Sequence, residues 1–330
     1  MATATTLSRH IMQEGGWRND GAGDLLSLLE PLALAGKILA REVDQAALAG
    51  TLGLAGDQNA TGDMQKKLDV LSNDVVMDAF AGCSLVAGIA SEELDEAVVM
   101  STSEDARYLL CTDPLDGSSN TDVNAPLGTI FGILRRSRKG ELSGEEFLQK
   151  GSGLVCAGYV LYGTSTVLVY TVGSGVHGFT LDRGVGEFML SHEDIRCPER
   201  GTVYSANVGR HKAWDAGVRK FLDYVTDQDK PSGRPHSLRY TGALVADLHR
   251  CLLDGGVYFY PGDPGSPNGK LRLLYECAPL ACVAEQAGGA ASTGRGPLLE
   301  VTPEAIHQRT PIAIGSVENV ALYERFMAEG

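Results

Sequence analysis

The sequence predicts a two-domain protein that joins an α+β half to a layered α/β half. Three observations carry that expectation. The chain has 330 residues, more than one typical core accommodates. Residues 154–191 contain four β-branched or aromatic runs divided by Gly and Asp, the pattern of an antiparallel meander. Beyond residue 201 helical and strand-like segments alternate, as in a layered α/β domain. The polar, aperiodic stretch "HEDIRCPERG" (192–201) separates the two patterns. It divides the chain into an N-terminal α+β domain, 1–197, and a C-terminal α/β domain, 198–330.

The elements follow from local pattern. "DLLSLLEPLALAGKILARE" (24–42) has helical apolar spacing, and Pro31 marks a kink in it. A second helix covers Lys67 to Phe80. "ARYLLCT" (106–112) reads as a short buried strand that ends where two aspartates begin, and "LGTIFGIL" (127–134) as another. The meander comprises "LVCAGYVLYG", "STVLVYTVG", "GVHGFTLD" and "GEFML". In the second half, "HKAWDAGVRKFLDYV" reads as helix, and so does "TGALVADLHRCLLDG", with Thr241 as cap and Gly255 as stop. "GVYFYP" is strand and "LRLLYECAPLACVAEQAGG" is helix, with Pro279 inside it; "TPIAIG" is strand and "VENVALYERFM" helix. His211 and His249 read as capping or packing residues, and Trp17 and Trp214 as packing residues.

Composition narrows the function. With 43% hydrophobic and 21% charged residues the chain is ordinary globular material. Its 42 acids against 28 bases leave a net charge of −14, which argues against a nucleic-acid partner because phosphate backbones require a basic surface. The seven cysteines are odd in number and form no C-x-x-C, so reduced core residues are expected rather than disulfides or zinc. "MATATTLSRH" lacks the apolar core of a signal peptide, and no run approaches a membrane span. A soluble cytoplasmic protein is the expectation.

Four stretches place carboxylates beside turn or capping residues. "GDMQKKLD" carries Asp63 and Asp69, "SEELDE" carries Glu92 and Glu93, "DPLDG" carries Asp113 and Asp116, and "YECAP" carries Glu276. Converging, these oxygens would suit Mg²⁺ or Mn²⁺. Taken singly each has a plainer reading: "SEELDE" as a helix-start cap, "DPLDG" as a turn. Spacing alone leaves both open. Gly117, Ser118 and Ser119 would present amides and hydroxyls to an oxyanion. Lys270 and Arg272 precede Glu276 at what reads as a helix start.

Taken together, the stretches "GDMQKKLDVLSND", "SEE", "DPLDGSSN", "GTIFGI", "RYTGALVADLHR", "YPGDPGSPNGKLRLLYECAPLA" and "IHQRTPIAIGS" closely resemble the class I fructose-1,6-bisphosphatases, in the family's order and spacing. The resemblance runs from about Gly21 to the end. "DPLDGSS" is shared with the wider inositol-phosphatase-like superfamily, whereas "GKLRLLYECAPLA" is the family's own signature.

The resemblance implies a two-domain layered α-β-α-β-α sandwich of the sugar phosphatase type. It also implies Mg²⁺-dependent hydrolysis of the 1-phosphate of fructose 1,6-bisphosphate, in gluconeogenesis or the Calvin cycle. It places metal ligands at Asp63, Asp69, Glu92, Asp113, Asp116, Glu276 and the carbonyl of Leu115. Two or more Mg²⁺ per subunit would be held there, with Mn²⁺ as a possible substitute. Asp69 and Glu93 would orient and deprotonate the attacking water. Gly117, Ser118, Ser119 and Arg272 would meet the leaving phosphate. Asn207, Arg239, Tyr240, Tyr260 and Lys270 would hold the sugar and distal phosphate. Arg239 would reach across a subunit interface in a homotetramer.

The chain departs from the family pattern in places. "NVGR" puts Arg210 where the family often has tyrosine, an arginine able to grip a distal phosphate bidentately or to favour another sugar bisphosphate. Ala22 and Leu26 replace the threonines of the AMP-inhibited animal enzymes. Tyr108 is kept and Arg107 replaces a lysine, so the resemblance does not imply AMP inhibition. The cysteine-bearing insertion of the chloroplast form is missing between Arg135 and Gly153. Alternative readings are sedoheptulose-1,7-bisphosphatase activity, alone or alongside the first, an inositol-monophosphatase-like enzyme, or a non-catalytic binding protein on the same fold.

Overall fold

A computed structural model describes residues 5–14, 21–58 and 64–330. Two of the expectations above, the ligand Asp63 and the packing residue Trp17, lie outside the described residues.

Helices α1 (Leu7–Glu14) and α2 (Ala22–Ala49) open the chain. Helix α2 is longer than its apolar spacing predicts and continues through Pro31 as one element. Proline has no N–H for the carbonyl four residues earlier. That carbonyl, of Ser27, instead faces the Cys83 thiol at 3.7 Å. A ribbon of β1 (Leu54–Gln58) and β2 (Met64–Lys66) leads into α3 (Lys67–Phe80), with the bounds predicted for that helix.

An eight-stranded sheet follows: β3 (Val86–Ser91), β4 (Val98–Val99), β5 (Tyr108–Asp116), β6 (Leu127–Arg135), β7 (Leu154–Tyr162), β8 (Thr166–Thr171), β9 (Val176–Asp182) and β10 (Glu187–His192). Its order is β10-β9-β8-β7-β6-β5-β3-β4. Strands β5 to β10 form an unbroken antiparallel run, and β3 pairs parallel to β5. The four predicted meander strands are β7 to β10.

Beyond residue 200 come β11 (Val203–Ser205), α4 (Ala216–Thr226), β12 (Ser237–Leu238), α5 (Leu244–Asp254) and β13 (Val257–Tyr260). They are followed by β14 (Leu271–Arg272), α6 (Ala278–Gln286), β15 (Ala290–Ser292), β16 (Arg309–Thr310), β17 (Ile312–Gly315) and α7 (Val317–Glu329). The second sheet runs β12-β11-β13-β17-β15, parallel at β12/β11/β13 and antiparallel beyond.

Burial sorts these elements into five layers. Leu28, Leu29 and Leu39 of α2 and Val76 of α3 pack on Tyr108, Leu110, Phe131 and Val160 of the large sheet. The opposite face of that sheet, with Leu109, Ile130, Tyr159 and Val169, packs on Leu248 and Leu252 of α5 and Leu280 and Val283 of α6. Tyr258, Ile312 and Ile314 of the second sheet join the same cluster. Phe221 of α4 and Tyr323 of α7 cover the outer face at Phe259 and Ala313. Trp214 packs there against Phe259 at 5.6 Å between ring centroids, as expected of it. The result is the α-β-α-β-α order that the resemblance implied. Among the described residues no helix is long and apolar enough to cross a membrane.

Several local expectations are corrected. The strand read over 106–112 continues through both aspartates to Asp116. "SEELDE" starts no helix: it is the turn that leaves β3. The helix read over 211–225 begins at Ala216, after a 3₁₀ turn of Val208–Ala213. Thr241 does not cap α5, whose N-cap is Ala243; its hydroxyl instead accepts the Ala243 N–H at 3.3 Å. Gly255 does end α5, at φ 75°. The helix read over 271–289 is three elements: β14, a π turn of Leu273–Cys277, and α6. Pro279 therefore sits in the first turn of α6, directly after the π turn. Lys270 and Arg272 accordingly lie at a strand, not at a helix start.

Helix α5 meets the large sheet end-on at two glycines. A Cβ on Gly128 would lie 2.3 Å from Val245 Cγ1 and 2.8 Å from the Val160 carbonyl; one on Gly117 would lie 2.6 Å from Ala243 Cβ. Gly128→Ala should therefore push α5 off the sheet and destabilise the fold by about 1–3 kcal/mol, the usual cost of overpacking. Denaturant unfolding checks this: an unchanged midpoint would mean that α5 is not seated as described.

Candidate active site

The two aspartates of "DPLDG" are three residues apart, and in a regular strand an odd spacing puts side chains on opposite faces. Strand β5 removes that parity. Asp113 pairs with Ile130 and Asp116 with Gly128, so Pro114 and Leu115 together face the single residue Thr129. This is a β-bulge, a place where proline is tolerated because no ladder N–H is required. Thr129 Oγ1 donates to the Pro114 carbonyl at 2.9 Å, and the Leu115 N–H donates to Asp113 Oδ1 at 2.9 Å. The extra residue turns both carboxylates to one side and takes Leu115 out of the ladder register.

Three more elements deliver carboxylates to the same point. The π turn after β14 inserts one extra residue in its ring and brings in Glu276, which accepts a short bond from the Arg272 N–H. Asp113, Asp116 and Glu276 are all buried and present oxygens within 4.8 Å of one another. The turn after β3 supplies Glu92, whose Oε1 lies 4.0 Å from the Arg272 guanidinium. Helix α3 supplies Asp69: its Oδ2 accepts the Lys66 N–H at 2.7 Å, and its Oδ1 is buried with no protein partner. Glu93 lies alongside, accepting Gln65 Nε2 at 2.5 Å.

Helix α5 contributes its N-terminal end. The Val245 N–H donates to Asp116 Oδ2 at 2.7 Å, so the positive end of the helix dipole faces that carboxylate. Asp247, wholly buried, accepts the Thr241 N–H with both oxygens at 3.1 Å and holds the turn before the helix. Ser118 and Ser119 follow Gly117, whose φ of 83° opens a 3₁₀ turn beside Asp116. In the same turn, Ser118 lies near Asp69 and offsets part of the rise in its pKa.

The electrostatics are those of a cluster short of positive charge. Burial, together with neighbouring carboxylates, raises Asp69 and Glu92 to about 7. Asp116 is raised to about 7, first by burial. Asp113 and Glu276 are held well above the ordinary range by burial and then by Glu92. An unpartnered buried oxygen on Asp69, crowded acids and oxygen-only donors fit a hard divalent cation.

The predicted distal contacts lie on strands of the second sheet and on the loops that leave them. Asn207 precedes the 3₁₀ turn that carries Arg210. Tyr260 ends β13, and Lys270 precedes β14. Arg239 and Tyr240 follow β12, both exposed. Although Tyr240 as a whole is 38% exposed, desolvation of its hydroxyl end and then Tyr260 raise that hydroxyl to about 12. The Arg239 guanidinium donates to the Leu238 carbonyl at 2.8 Å. Arg210 donates from Nε and Nη2 to Asp263 Oδ2 at 3.0 and 2.6 Å.

Asp263 is a residue that the sequence reading missed. Its Oδ1 accepts the Gly265 and Ser266 N–H groups, so it ties the Arg210 turn to the loop joining Tyr260 to Lys270. The only local signal for it was an acid in a Pro/Gly loop, and no spacing links residues 210 and 263. Gln65 and Asp247 were missed for the same reason. Of the bland candidates, His249 Nδ1 pairs with the Tyr159 hydroxyl at 2.8 Å and His211 Nδ1 with the Val208 carbonyl at 2.9 Å. Near Ala22 and Leu26, Asp24 Oδ2 accepts from Arg107 at 2.7 Å and from the Tyr108 hydroxyl at 2.8 Å.

The layered fold and the buried carboxylate cluster define a metal-dependent phosphatase. Comparison with known proteins makes the assignment particular. Residues 5–193 match the fructose-1-6-bisphosphatase N-terminal domain, and residues 197–328 match the C-terminal domain. The chain is 54% identical to the class 1 fructose-1,6-bisphosphatase 2 of Acaryochloris marina, over 100% of this chain and 99% of that protein. It is 47% identical to the class 1 enzyme of Chlorobium phaeovibrioides, over 99% and 98%. Among solved structures, the holo form of Leishmania major fructose-1,6-bisphosphatase superposes with TM-score 0.93 at 38% identity, over 99% of both chains. The apo form gives 0.87 at 36% identity, over 99% of this chain and all of that one. The chain belongs to the fructose-1,6-bisphosphatase family, which are phosphoric monoester hydrolases.

Because the fold raises these carboxyl pKa values, the metal-free folded state binds more protons than the unfolded chain. The stability they contribute is full below their ordinary values of 3.8 and 4.5 and is lost as pH rises toward about 7. In a chelator the melting temperature should therefore fall between about pH 5 and about pH 7.5. A divalent cation should raise it more at the higher pH. A flat profile in chelator would mean that the acids are not crowded in solution.

Proposed function

We propose that the chain hydrolyses the 1-phosphate of D-fructose 1,6-bisphosphate to fructose 6-phosphate and phosphate, with Mg²⁺ held by the carboxylate cluster. The observation that carries this reading is the convergence of Asp113, Asp116 and Glu276 within 4.8 Å, beside Asp69 and Glu92. On this reading Asp63, Asp69, Glu92, Asp113, Asp116, Glu276 and the Leu115 carbonyl hold two or more ions, and Mn²⁺ substitutes. When bound, such ions lower the pKa of water and neutralise phosphoryl charge.

The chain's own groups do the positioning. Asp69 and Glu93 take the proton of the attacking water; the uncommitted Oδ1 of Asp69 suits that role. Amides and hydroxyls of the 117–119 turn hold the transferring phosphoryl oxygens where charge develops. Arg272 lies beside Glu92 and offers a further cation to the phosphoryl group. Water adds at phosphorus, the bond to the sugar oxygen breaks, and that oxygen leaves with a proton. No covalent phosphoenzyme is required.

At the far end Asn207, Tyr240, Tyr260 and Lys270 hold the sugar and distal phosphate. Arg210 joins them through Nη1, since Asp263 occupies Nε and Nη2. The exposed Arg239, whose described contact is its own neighbour's carbonyl, is suited to reach a partner subunit in a homotetramer. Cytoplasmic location is part of the same proposal. Sedoheptulose 1,7-bisphosphate is the second reading, favoured by an arginine rather than a tyrosine at 210.

Asp116→Ala should lower kcat by orders of magnitude while leaving the fold intact, read by steady-state phosphate release beside circular dichroism; near-normal turnover at saturating Mg²⁺ would remove Asp116 from the site. Arg210→Ala and Asp263→Asn should each raise KM on the order of tenfold to a hundredfold, the worth of charge-assisted bonds. Their kcat should change little. An unchanged KM in both would place the distal phosphate elsewhere. Phosphate release from fructose bisphosphate, sedoheptulose bisphosphate and inositol monophosphate separates the substrate readings. No release from any of them would leave a binding protein on an enzyme fold.

A further inference from the structure

On the outer face of the second sheet, away from the carboxylate cluster, a cleft of about 170 Å³ lies between α4, α7 and the segment entering β12. Its floor is His236. The residue is 6% exposed, and neither Nδ1 nor Nε2 has a protein partner. A buried imidazole with both nitrogens unsatisfied is costly, since each lost bond carries a desolvation penalty. The backbone on either side is fixed: the His236 N–H donates to the Val225 carbonyl at 2.7 Å and the Ser237 N–H to Thr202 at 2.8 Å.

The walls are positively charged in a protein whose net charge is −14. Arg200 and Arg325 line the cleft from opposite elements, and both are exposed. Arg200 is held at its rim by donating to the Ser232 carbonyl at 2.8 Å. Arg325 lies over the Phe326 ring at 5.4 Å, and no described carboxylate pairs with it. Arg234, stacked 4.0 Å over the lining residue Tyr224, adds to the field but is committed to Asp229 at 2.6 Å. Asn319 is spent on the Gly201 backbone. Among the described residues that line the cleft, Glu318 is the one acid.

We propose that this cleft is a binding site for a small tetrahedral oxyanion of the inorganic phosphate class, with Arg200, Arg325 and a ring N–H of His236 as its donors. Guanidinium groups suit oxyanions because they offer charge and paired donors together. Burial, then Arg200 and Arg234, hold His236 below its ordinary pKa. The empty cleft thus keeps a neutral ring with one N–H to give, and an anion between the arginines would relieve the repulsion that disfavours its charged form. This assignment does not depend on the proposed catalytic activity.

The test is a titration of the full chain, labelled with ¹³C at the ring of its seven histidines, with inorganic phosphate. Parallel arms use sulfate and, at matched ionic strength, chloride. His236→Gln assigns the resonance. Phosphate and sulfate should move the His236 signal saturably, and chloride should not. Asp116→Asn, which disables the catalytic cluster, should leave that response intact, separating it from product binding there. Arg200→Ala with Arg325→Ala, both at exposed positions, should weaken it on the order of tenfold or more. Should His236→Gln fail to fold, a wild-type crystal soaked in selenate locates the anion directly by its anomalous signal. A signal that does not saturate, one that chloride reproduces, one that survives loss of both arginines, or a selenate soak that leaves the cleft without anomalous density overturns the proposal.

Discussion

Repulsion among buried carboxylates is the constraint on which the rest of this structure depends. Asp69, Glu92, Asp113, Asp116 and Glu276 come from four segments far apart in the chain, and each is pushed upward in pKa by burial and, for most, by another acid. Such a cluster opposes folding unless something offsets its charge. Among the described residues the offsets are few: the Arg272 guanidinium, the Lys66 and Arg272 amides, and the end of α5 at Asp116. A divalent cation is the natural complement of the remainder.

The scaffold spends its irregularities on meeting that constraint. The bulge at Pro114–Leu115 turns two acids to one side of β5, and the π turn at Leu273–Cys277 brings a third against them. Two glycines let α5 approach end-on. Around these features the sheets and helices are regular and apolar, with cores formed by Leu, Ile, Val and aromatic residues. Rigid layers hold the irregular turns, as is usual where positioning drives the chemistry.

On the proposed reading, the same division separates reaction from recognition. The carboxylates sit where β3, β5, α3 and the π turn meet, whereas Asn207, Arg210, Tyr260 and Lys270 belong to the second sheet and its loops. The middle layer of α5 and α6 packs on both sheets in one continuous core. The two ends of a sugar bisphosphate would therefore be held by elements that share a single packed layer. The Arg210–Asp263 pair keeps the 3₁₀ turn after β11 and the loop after β13 in fixed relation.

Much of this was legible in the linear chain. The meander, α3 with its bounds, and the end of α5 at Gly255 follow from period, β-branched runs and left-handed glycine, all properties of neighbouring residues. The acids were legible as types beside turns, and the motif order was legible as a family. What local pattern missed were the departures from regularity. "DPLDG" continues a strand because β6 supplies the partner for a bulge, and "LRLLYE" is strand and π turn because Glu276 folds back on the Arg272 amide. Convergence itself, the Arg210–Asp263 pair and the basic cleft over His236 were decided only by tertiary packing. Each joins residues tens to hundreds of positions apart, and short-range spacing holds no information about distances that other side chains set.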